Sequence, residues 1–346
     1  MINILITEDS EVVATLLKAI FEAEADMKVV GWARNGREAV TLAHDLKPNI
    51  VTMDIRMPVM DGFDATRMIM ATEPMPIVVV SSSVDDEELR ITFRAIDEGA
   101  LAVIEKPRGL HHPDFDKIRR DLVETVRAMA EVKVVRRNRP RPSAEIFATS
   151  LPRRTSAYEV IGIACSTGGP QVLATILGGL PVGFPLPILV VQHISPGFVG
   201  GLVNWLRGQT LLDVCLAQDK QALKGGTIYV APDNFHLEVR RVDGRLVAHL
   251  SDAPPCGSFR PSGNPLFQSL ARVCPRASVA GILTGMGSDG AVGLAELRQA
   301  GGQTFTQDED SAVVYGMPGA ALALKAIDRV VTLARIPTHL VELARS

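Results

Sequence analysis

The sequence is short of the features that would send it to a membrane or a nucleic acid. No apolar run approaches the roughly 20 residues that a spanning helix needs. The opening, Met1-Ile2-Asn3-Ile4-Leu5-Ile6-Thr7-Glu8-Asp9, has no cationic leader and reaches acid too early for a signal peptide. The four cysteines (Cys165, Cys215, Cys256 and Cys274) all lie in the second half, and no two are at CxxC spacing. That argues for reduced thiols in a cytoplasmic protein. A net charge of −3 argues against nucleic acid as the main partner. No helix-turn-helix pattern or basic output domain is recognisable, which leaves little room for a transcription regulator. Neither half contains an internal repeat.

What is present reads as ordinary globular material. At 346 residues, with 47% hydrophobic and 22% charged residues, the chain can bury sizeable cores in two domains. Over residues 1–131 short apolar runs alternate with helical periodicity. Strands are predicted at Asn3–Thr7, Met27–Ala33, Ile50–Met53, Ile77–Val80 and Ala102–Ile104. Between them fall helices with Val12, Val13, Leu16, Leu17 and Ile20 on one face, then Arg37–Leu46, Phe63–Thr72, Glu87–Glu98 and Phe115–Glu131. Five β-α repeats imply a parallel sheet wound on both faces by right-handed crossovers.

Residues 132–157 lose this pattern. Lys133, Arg136, Arg137, Arg139, Arg141, Arg153 and Arg154 mix with Pro140, Pro142 and Pro152, and Glu145 is the only acid. The stretch reads as a solvated tether, with a docking surface for an acidic partner as the alternative. A second α/β pattern occupies residues 158–346. It has predicted strands at Glu159–Ala164, Ile188–Gln192 and Val279–Leu283, and helices at Pro170–Leu180, Gly197–Arg207 and Ala291–Gln299. Thr227–Ala231, His236–Arg241 and Arg245–Leu250 are read as antiparallel, with Asp243-Gly244 as a hairpin turn. The expected class is α/β: two doubly wound parallel-sheet domains, the first flavodoxin-like, the second Rossmann-like with an antiparallel β-hairpin.

In such sheets chemistry gathers at the carboxyl ends of the strands. Glu8 and Asp9 end the first strand of the first domain, and Asp54 ends the neighbouring third. Three clustered carboxylates repel one another unless a hard cation or a proton sits among them, and an all-oxygen set suits Mg²⁺. A metal there would shield an incoming phosphoryl group and leave one carboxylate as nucleophile. Ser81 ends the fourth strand and Lys106 follows the fifth, each able to contact a phosphate oxygen. A cis Lys106-Pro107 bond is one way of placing that ammonium.

The motifs Glu8-Asp9-Ser10, Met53-Asp54-Ile55-Arg56-Met57-Pro58-Val59-Met60-Asp61-Gly62, Ser81-Ser82 and Lys106-Pro107 make this half resemble a response-regulator receiver domain. The resemblance implies that Asp54 accepts a phosphoryl group from a histidine kinase. Val103 stands where many receivers carry a switch aromatic, so the usual aromatic signalling movement is not expected.

The second domain offers Ile161-Gly162-Ile163-Ala164-Cys165-Ser166-Thr167-Gly168-Gly169-Pro170, a strand, a tight turn and a helix start. Small residues raise Ser166 at the sheet edge, beside a helix N-terminus that favours negative charge. The turn is not GxSxG, GxGxxG or a P-loop, and on its own it reads equally well as a phosphate cradle or as the seat of a nucleophile. Cys165 competes as nucleophile but points the other way, as a packed thiol. A serine needs a base, and His193 ends the next strand. His236 is a weaker alternative, while His249 and His339 read as structural. Leu283-Thr284-Gly285-Met286-Gly287-Ser288-Asp289-Gly290 supplies Asp289 in a loop rich in free N–H groups, or else a second phosphate cradle. A Ser–His–Asp set works because the carboxylate orients the imidazole, the imidazole takes the hydroxyl proton and N–H donors hold the oxyanion.

The motifs Ser166-Thr167-Gly168-Gly169, Gln192-His193, Ala231-Pro232, Arg260-Pro261-Ser262, Leu283-Thr284-Gly285-Met286-Gly287-Ser288-Asp289-Gly290 and Tyr315-Gly316-Met317-Pro318 make residues 158 to about 340 resemble the catalytic domain of the chemotaxis-type protein-glutamate methylesterases. The resemblance implies Ser166 as nucleophile, His193 as base, Asp289 as orienter and the Met286 N–H as an oxyanion donor. It also implies a substrate, the glutamate methyl esters on cytoplasmic helices of methyl-accepting chemoreceptors, with methanol released, and deamidation of glutamines in the same receptors. By the same resemblance the unphosphorylated receiver covers the esterase cleft and phospho-Asp54 loosens it. Ala164-Cys165 departs from the family's usual Gly-Ala, a change of packing volume. The competing reading is a phospho-regulated module that holds a nucleotide or anion without chemistry.

Overall fold

Ser10, Asn35 and Asp61 each follow the end of a strand and cap the helix behind it. Their side-chain oxygens accept from Val13, Glu38 and Asp64 N–H groups and so satisfy donors that the first helical turn leaves open. Glu38 reaches back to the Arg34 N–H at 2.8 Å and closes a reciprocal cap. Helices α1 (Glu11–Glu22), α2 (Gly36–Leu46) and α3 (Gly62–Thr72) therefore start at the caps. Two of them begin one residue earlier than periodicity predicts, because Gly36 and Gly62 have no side chain to register in an apolar pattern.

The computed structural model describes residues 1–81, 93–107, 109, 112, 115–132, 134 and 157–346. The chain divides into two units, Met1–Arg139 and Pro140–Ser346. The expected tether over 132–157 lies almost wholly outside the described residues, as do Ser82 and residues 87–92 of the predicted Glu87–Glu98 helix.

In the first unit β1 (Ile2–Thr7), β2 (Met27–Ala33), β3 (Ile50–Met53), β4 (Ile77–Ser81) and β5 (Ala102–Glu105) form one sheet in the order β2-β1-β3-β4-β5. All neighbours are parallel. The order reverses between β1 and β3, so the crevice at that switch point opens over Glu8, Asp9 and Asp54. The central strands β1, β3 and β4 are buried on both faces, as a parallel sheet requires, with Ile4, Leu5, Val51, Val78 and Val79 fully enclosed, while the edge strand β2 is half-buried. The last helix, Phe115–Ala130, lays Leu122, Val126 and Met129 against this core.

In the second unit β6 (Val160–Cys165), β7 (Ile188–Gln192), β8 (Asp213–Leu216), β9 (Thr227–Val230), β12 (Ser278–Ile282), β13 (Gln303–Gln307) and β14 (Arg329–Val331) make a seven-stranded parallel sheet. Its order is β14-β13-β12-β6-β7-β9-β8. The chain builds outward from β6 on one side, then returns to β12 on the other, and the crevice between the two directions lies at β6 and β12. A separate hairpin joins β10 (His236–Val242) to β11 (Arg245–Ser251). Its two-residue turn has Asp243 at φ 47° and Gly244 at φ 76°, the paired positive values that a type I′ turn needs.

One grouping is corrected. Thr227–Val230 is not antiparallel to the hairpin but runs parallel between β7 and β8 in the main sheet. Its Ile228, Tyr229 and Val230 are enclosed on both faces, and composition alone carries no strand direction. The Lys106–Pro107 bond is trans, since among the described residues the one cis peptide bond is Arg260–Pro261. Also among the described residues, no helix is long and apolar enough to cross a membrane.

Gly281 on β12 is tightly constrained, because a Cβ there would stand 2.2 Å from the fully buried Phe305 ring. Substituting Gly281→Ala is expected to cost the second unit about 1–3 kcal/mol through overpacking. Urea unfolding should show a lower midpoint with an unchanged slope.

Candidate active site and acidic pocket

Ser166 sits on the turn that joins β6 to the helix Gly169–Gly178. Its N–H donates to Thr284 O at 3.0 Å and its carbonyl accepts the Gly169 N–H at 2.8 Å. Gly168 adopts φ 77°, and a Cβ there would also meet Val313 at 2.5 Å, so only glycine fits the turn. The parallel register pairs Cys165 with Gln192 and continues with the His193 N–H donating to Cys165 O at 3.0 Å. His193 therefore occupies the strand end beside Ser166.

Gln192 was not singled out by residue type alone, yet it braces both turns. Its Nε2 donates to Ser166 O at 2.8 Å and to His193 O at 2.7 Å. Its Oε1 accepts from the Cys165 thiol at 3.1 Å. Cys165 is fully buried, and burial pushes its thiol far above the ordinary range. It is a packed thiol, as its alternation along β6 predicts.

The His193 imidazole meets Asp289, with Nε2 to Oδ2 at 2.9 Å. Only 7% of the His193 side chain and 3% of the Asp289 side chain are exposed, so water screens the pair weakly. His193 Nδ1 is buried and has no hydrogen-bond partner among the described residues. Relative to the serine-protease pattern, where the carboxylate holds Nδ1, the two ring nitrogens exchange parts. Ser166 Oγ and His193 Nδ1 are not hydrogen-bonded to each other in this structure. Such contacts commonly tighten only when substrate is bound.

Asp289 is held by more groups than its sequence context signals. Ser262 Oγ donates to Oδ1 at 2.5 Å, Gly263 N–H to Oδ2 at 2.6 Å, and Asn264 Nδ2 to Oδ1 at 3.2 Å. All three come from the start of the helix Gly263–Val273, whose N-terminus favours an anion. Burial opposes ionisation of this carboxyl, but the His193, Ser262 and Gly263 hydrogen bonds outweigh it and hold its pKa below the usual carboxylate range. Phe259 was also missed: its ring stacks on His193, with centroids 3.9 Å apart and planes 5° apart. Nothing in the spacing of a lone Phe announces a stacking partner 66 positions away.

The Gly285 loop passes over the serine, for a Cβ on Gly285 would lie 2.8 Å from Ser166 Cβ. The next N–H, that of Met286, donates to no acceptor among the described residues. The other histidines are occupied elsewhere. His236 has Pro254 O at 3.1 Å from Nε2 and the Ser262 N–H at 3.2 Å from Nδ1, which removes it as an alternative base. His249 pairs with Asp219 at 3.0 Å, and the buried His339 packs edge-on to Phe305.

In the first unit Glu8, Asp9 and Asp54 converge, with one oxygen of each within 4.8 Å of the others. Lys106 Nζ lies 2.9 Å from both Glu8 Oε2 and Asp54 Oδ2. Burial raises the pKa of both Glu8 and Asp54, and Lys106 offsets this only in part. An all-oxygen set in which one ammonium underbalances three carboxylates fits a hard divalent cation. Ser81 is buried at the end of β4, its carbonyl accepting the Lys106 N–H at 2.8 Å.

Two outcomes are expected from this geometry. The raised pKa of Asp54 means that its contribution to stability is greatest below the ordinary carboxylate range and is lost as pH rises through the folded-state value. Asp54→Asn should therefore raise the melting temperature of the first unit at neutral pH, with little effect near pH 4, as calorimetry would show. A Cβ on Gly169 would fall 2.0 Å from Gln192 Oε1. Gly169→Ala should displace that brace and lower kcat roughly ten- to hundred-fold while leaving the fold intact by circular dichroism.

Comparison with known proteins places each half in a family. Residues 161–340 match the CheB methylesterase family, and residues 4–112 match the response regulator receiver domain. A protein-glutamate methylesterase/protein-glutamine glutaminase of Myxococcus xanthus is 47% identical over 98% of this chain and 96% of its own length. One from Methanospirillum hungatei is 44% identical over 94% of this chain and 93% of its own. The crystal structure of the Thermotoga maritima CheB methylesterase catalytic domain, 35% identical, superposes with a TM-score of 0.53 and covers 54% of this chain and 98% of that one. The chain belongs to the CheB methylesterase family and carries a response regulator receiver domain at its N-terminal end.

Proposed function

We propose that this chain hydrolyses glutamate methyl esters on the cytoplasmic helices of methyl-accepting chemoreceptors, deamidates glutamines in the same receptors, and is activated by phosphorylation of Asp54. The observation that supports the reading is the buried His193–Asp289 pair, with Nδ1 left open, on the strand next to the one that leads to Ser166. Ser166 Oγ attacks the ester carbonyl as His193 Nδ1 takes its proton. Asp289, ionised because its hydrogen bonds outweigh its burial, balances the imidazolium that forms. The oxyanion is met by the Met286 N–H, a kind of donor worth roughly 3 kcal/mol of barrier. The imidazolium returns its proton to the departing methoxide, and methanol leaves. Water then attacks the acyl-serine with the same base and frees the glutamate. A glutamine side chain follows the same course with ammonia as leaving group.

In the receiver, Asp54 is the phosphoryl acceptor and a histidine kinase the donor. Lys106 and Ser81 contact the transferred group. Glu8, Asp9 and Asp54 would hold Mg²⁺, which supplies charge neutralisation for the incoming phosphoryl group. The protein acts in the cytoplasm, where its receptors present their methylated helices.

Ser166→Ala should reduce methanol release from a methylated receptor fragment by roughly four orders of magnitude or more; turnover at the normal rate would end the esterase reading. In that event, saturable nucleotide or anion binding would favour the non-catalytic alternative. A small phosphodonor should stimulate the unaltered protein but not Asp54→Asn. EDTA should abolish the stimulation and leave the basal rate unchanged.

A further inference from the structure

His236 takes no part in the reaction above, yet its ring is fastened to the groups that do. It opens β10 and is 1% exposed. Nε2 faces a carbonyl, Pro254 O, at 3.1 Å, and Nδ1 faces a backbone amide, the Ser262 N–H, at 3.2 Å. A carbonyl only accepts and an amide N–H only donates, so both directions are forced. The ring carries its single proton on Nε2, and the Nδ1 lone pair holds the Ser262 amide.

Two routes lead from this ring to His193. Along the first, Ser262 caps the helix Gly263–Val273, and residues 262, 263 and 264 each donate to Asp289. Asp289 in turn takes the His193 Nε2 contact at 2.9 Å. Along the second, the ring pins both ends of the segment from Pro254 to Ser262, the segment that carries Phe259. Arg260 closes the same segment from within, with Nη1 donating to Asp252 O at 3.0 Å and Ala253 O at 3.2 Å. Phe259 then covers the flat face of His193. Orientation in the ring plane and cover on the ring face thus both trace to one buried imidazole.

We propose that His236 is a positioning residue for the hydrolytic site, whose Nδ1 lone pair fixes the Ser262 amide and thereby sets the Asp289 carboxylate and the His193 ring. The inference rests on the assignment of Ser166, His193 and Asp289 under the proposed function. Asparagine at 236 retains an acceptor where Nδ1 stands. Glutamine, closer in volume to histidine, retains a donor near Nε2 but loses that acceptor.

In the full-length protein His236→Asn should keep kcat within about threefold, and His236→Gln should lower it roughly ten- to hundred-fold at unchanged KM, the scale expected when catalytic groups shift by an ångström. A role confined to filling space would favour Gln over Asn and follow the melting temperature. A fully active His236→Gln, or equal impairment of the two variants, would overturn the proposal. The nitrogen spectrum of the imidazoles in the unaltered enzyme gives a reading that needs no variant to fold. Finding His236 Nδ1 protonated while the enzyme turns over would also overturn it. Ser166→Ala separates the two levels: activity surviving there removes the serine mechanism itself, whereas its loss beside a fully active His236→Gln removes only the role of His236.

Discussion

Parallel pairing at a fixed register is the constraint on which the second unit's chemistry depends. β6 lies between β12 and β7, and all three strands run the same way, so their carboxyl ends stop at one edge. Ser166 leaves from β6 and His193 from β7, while Asp289 follows β12 by one loop. Sliding β7 by one residue would turn His193 to the other face of the sheet, because side chains alternate along a strand. Gln192 guards that register, since its amide reads the carbonyls of both turns at once.

The two units treat buried carboxylates in opposite ways. Asp289 is enclosed but surrounded by donors, and its charged form is favoured. Glu8 and Asp54 are enclosed with one ammonium between them, and their charged forms are disfavoured. The first arrangement suits a group that must stay anionic while a neighbour becomes cationic. The second is a pocket whose own charge is uncomfortable, which is what a site for an incoming cation requires. Lys106, drawn toward both carboxylates, marks the same imbalance from the other side.

Much of this was legible in the sequence, and the reasons differ by element. The strands ending at Glu8, Asp54, Ser166 and His193 are apolar runs stopped by a polar or small residue, a pattern that survives without any tertiary information. Five elements carry weaker signals: the strands Asp213–Leu216, half-exposed at a sheet edge, Gln303–Gln307 and Arg329–Val331, and the helices Gly263–Val273 and Gly316–Ala323. The direction of Thr227–Val230 could not be read, because burial on both faces looks the same in either sense. Around the site, Ser262, Gly263, Asn264 and Phe259 were invisible as contacts, since they reach Asp289 and His193 across a helix start and a loop. Pairwise contacts of that length leave no local periodicity behind.

The His193–Asp289 contact spans 96 positions of chain, and each partner hangs on a strand that must first find β6. Long-range closures of this kind come late and together, because loop entropy must be overcome before any of them is rewarded. A chain that ends before β12 therefore has His193 but no Asp289 to hold its imidazole. The pair forms only once β7 and β12 have both docked on β6.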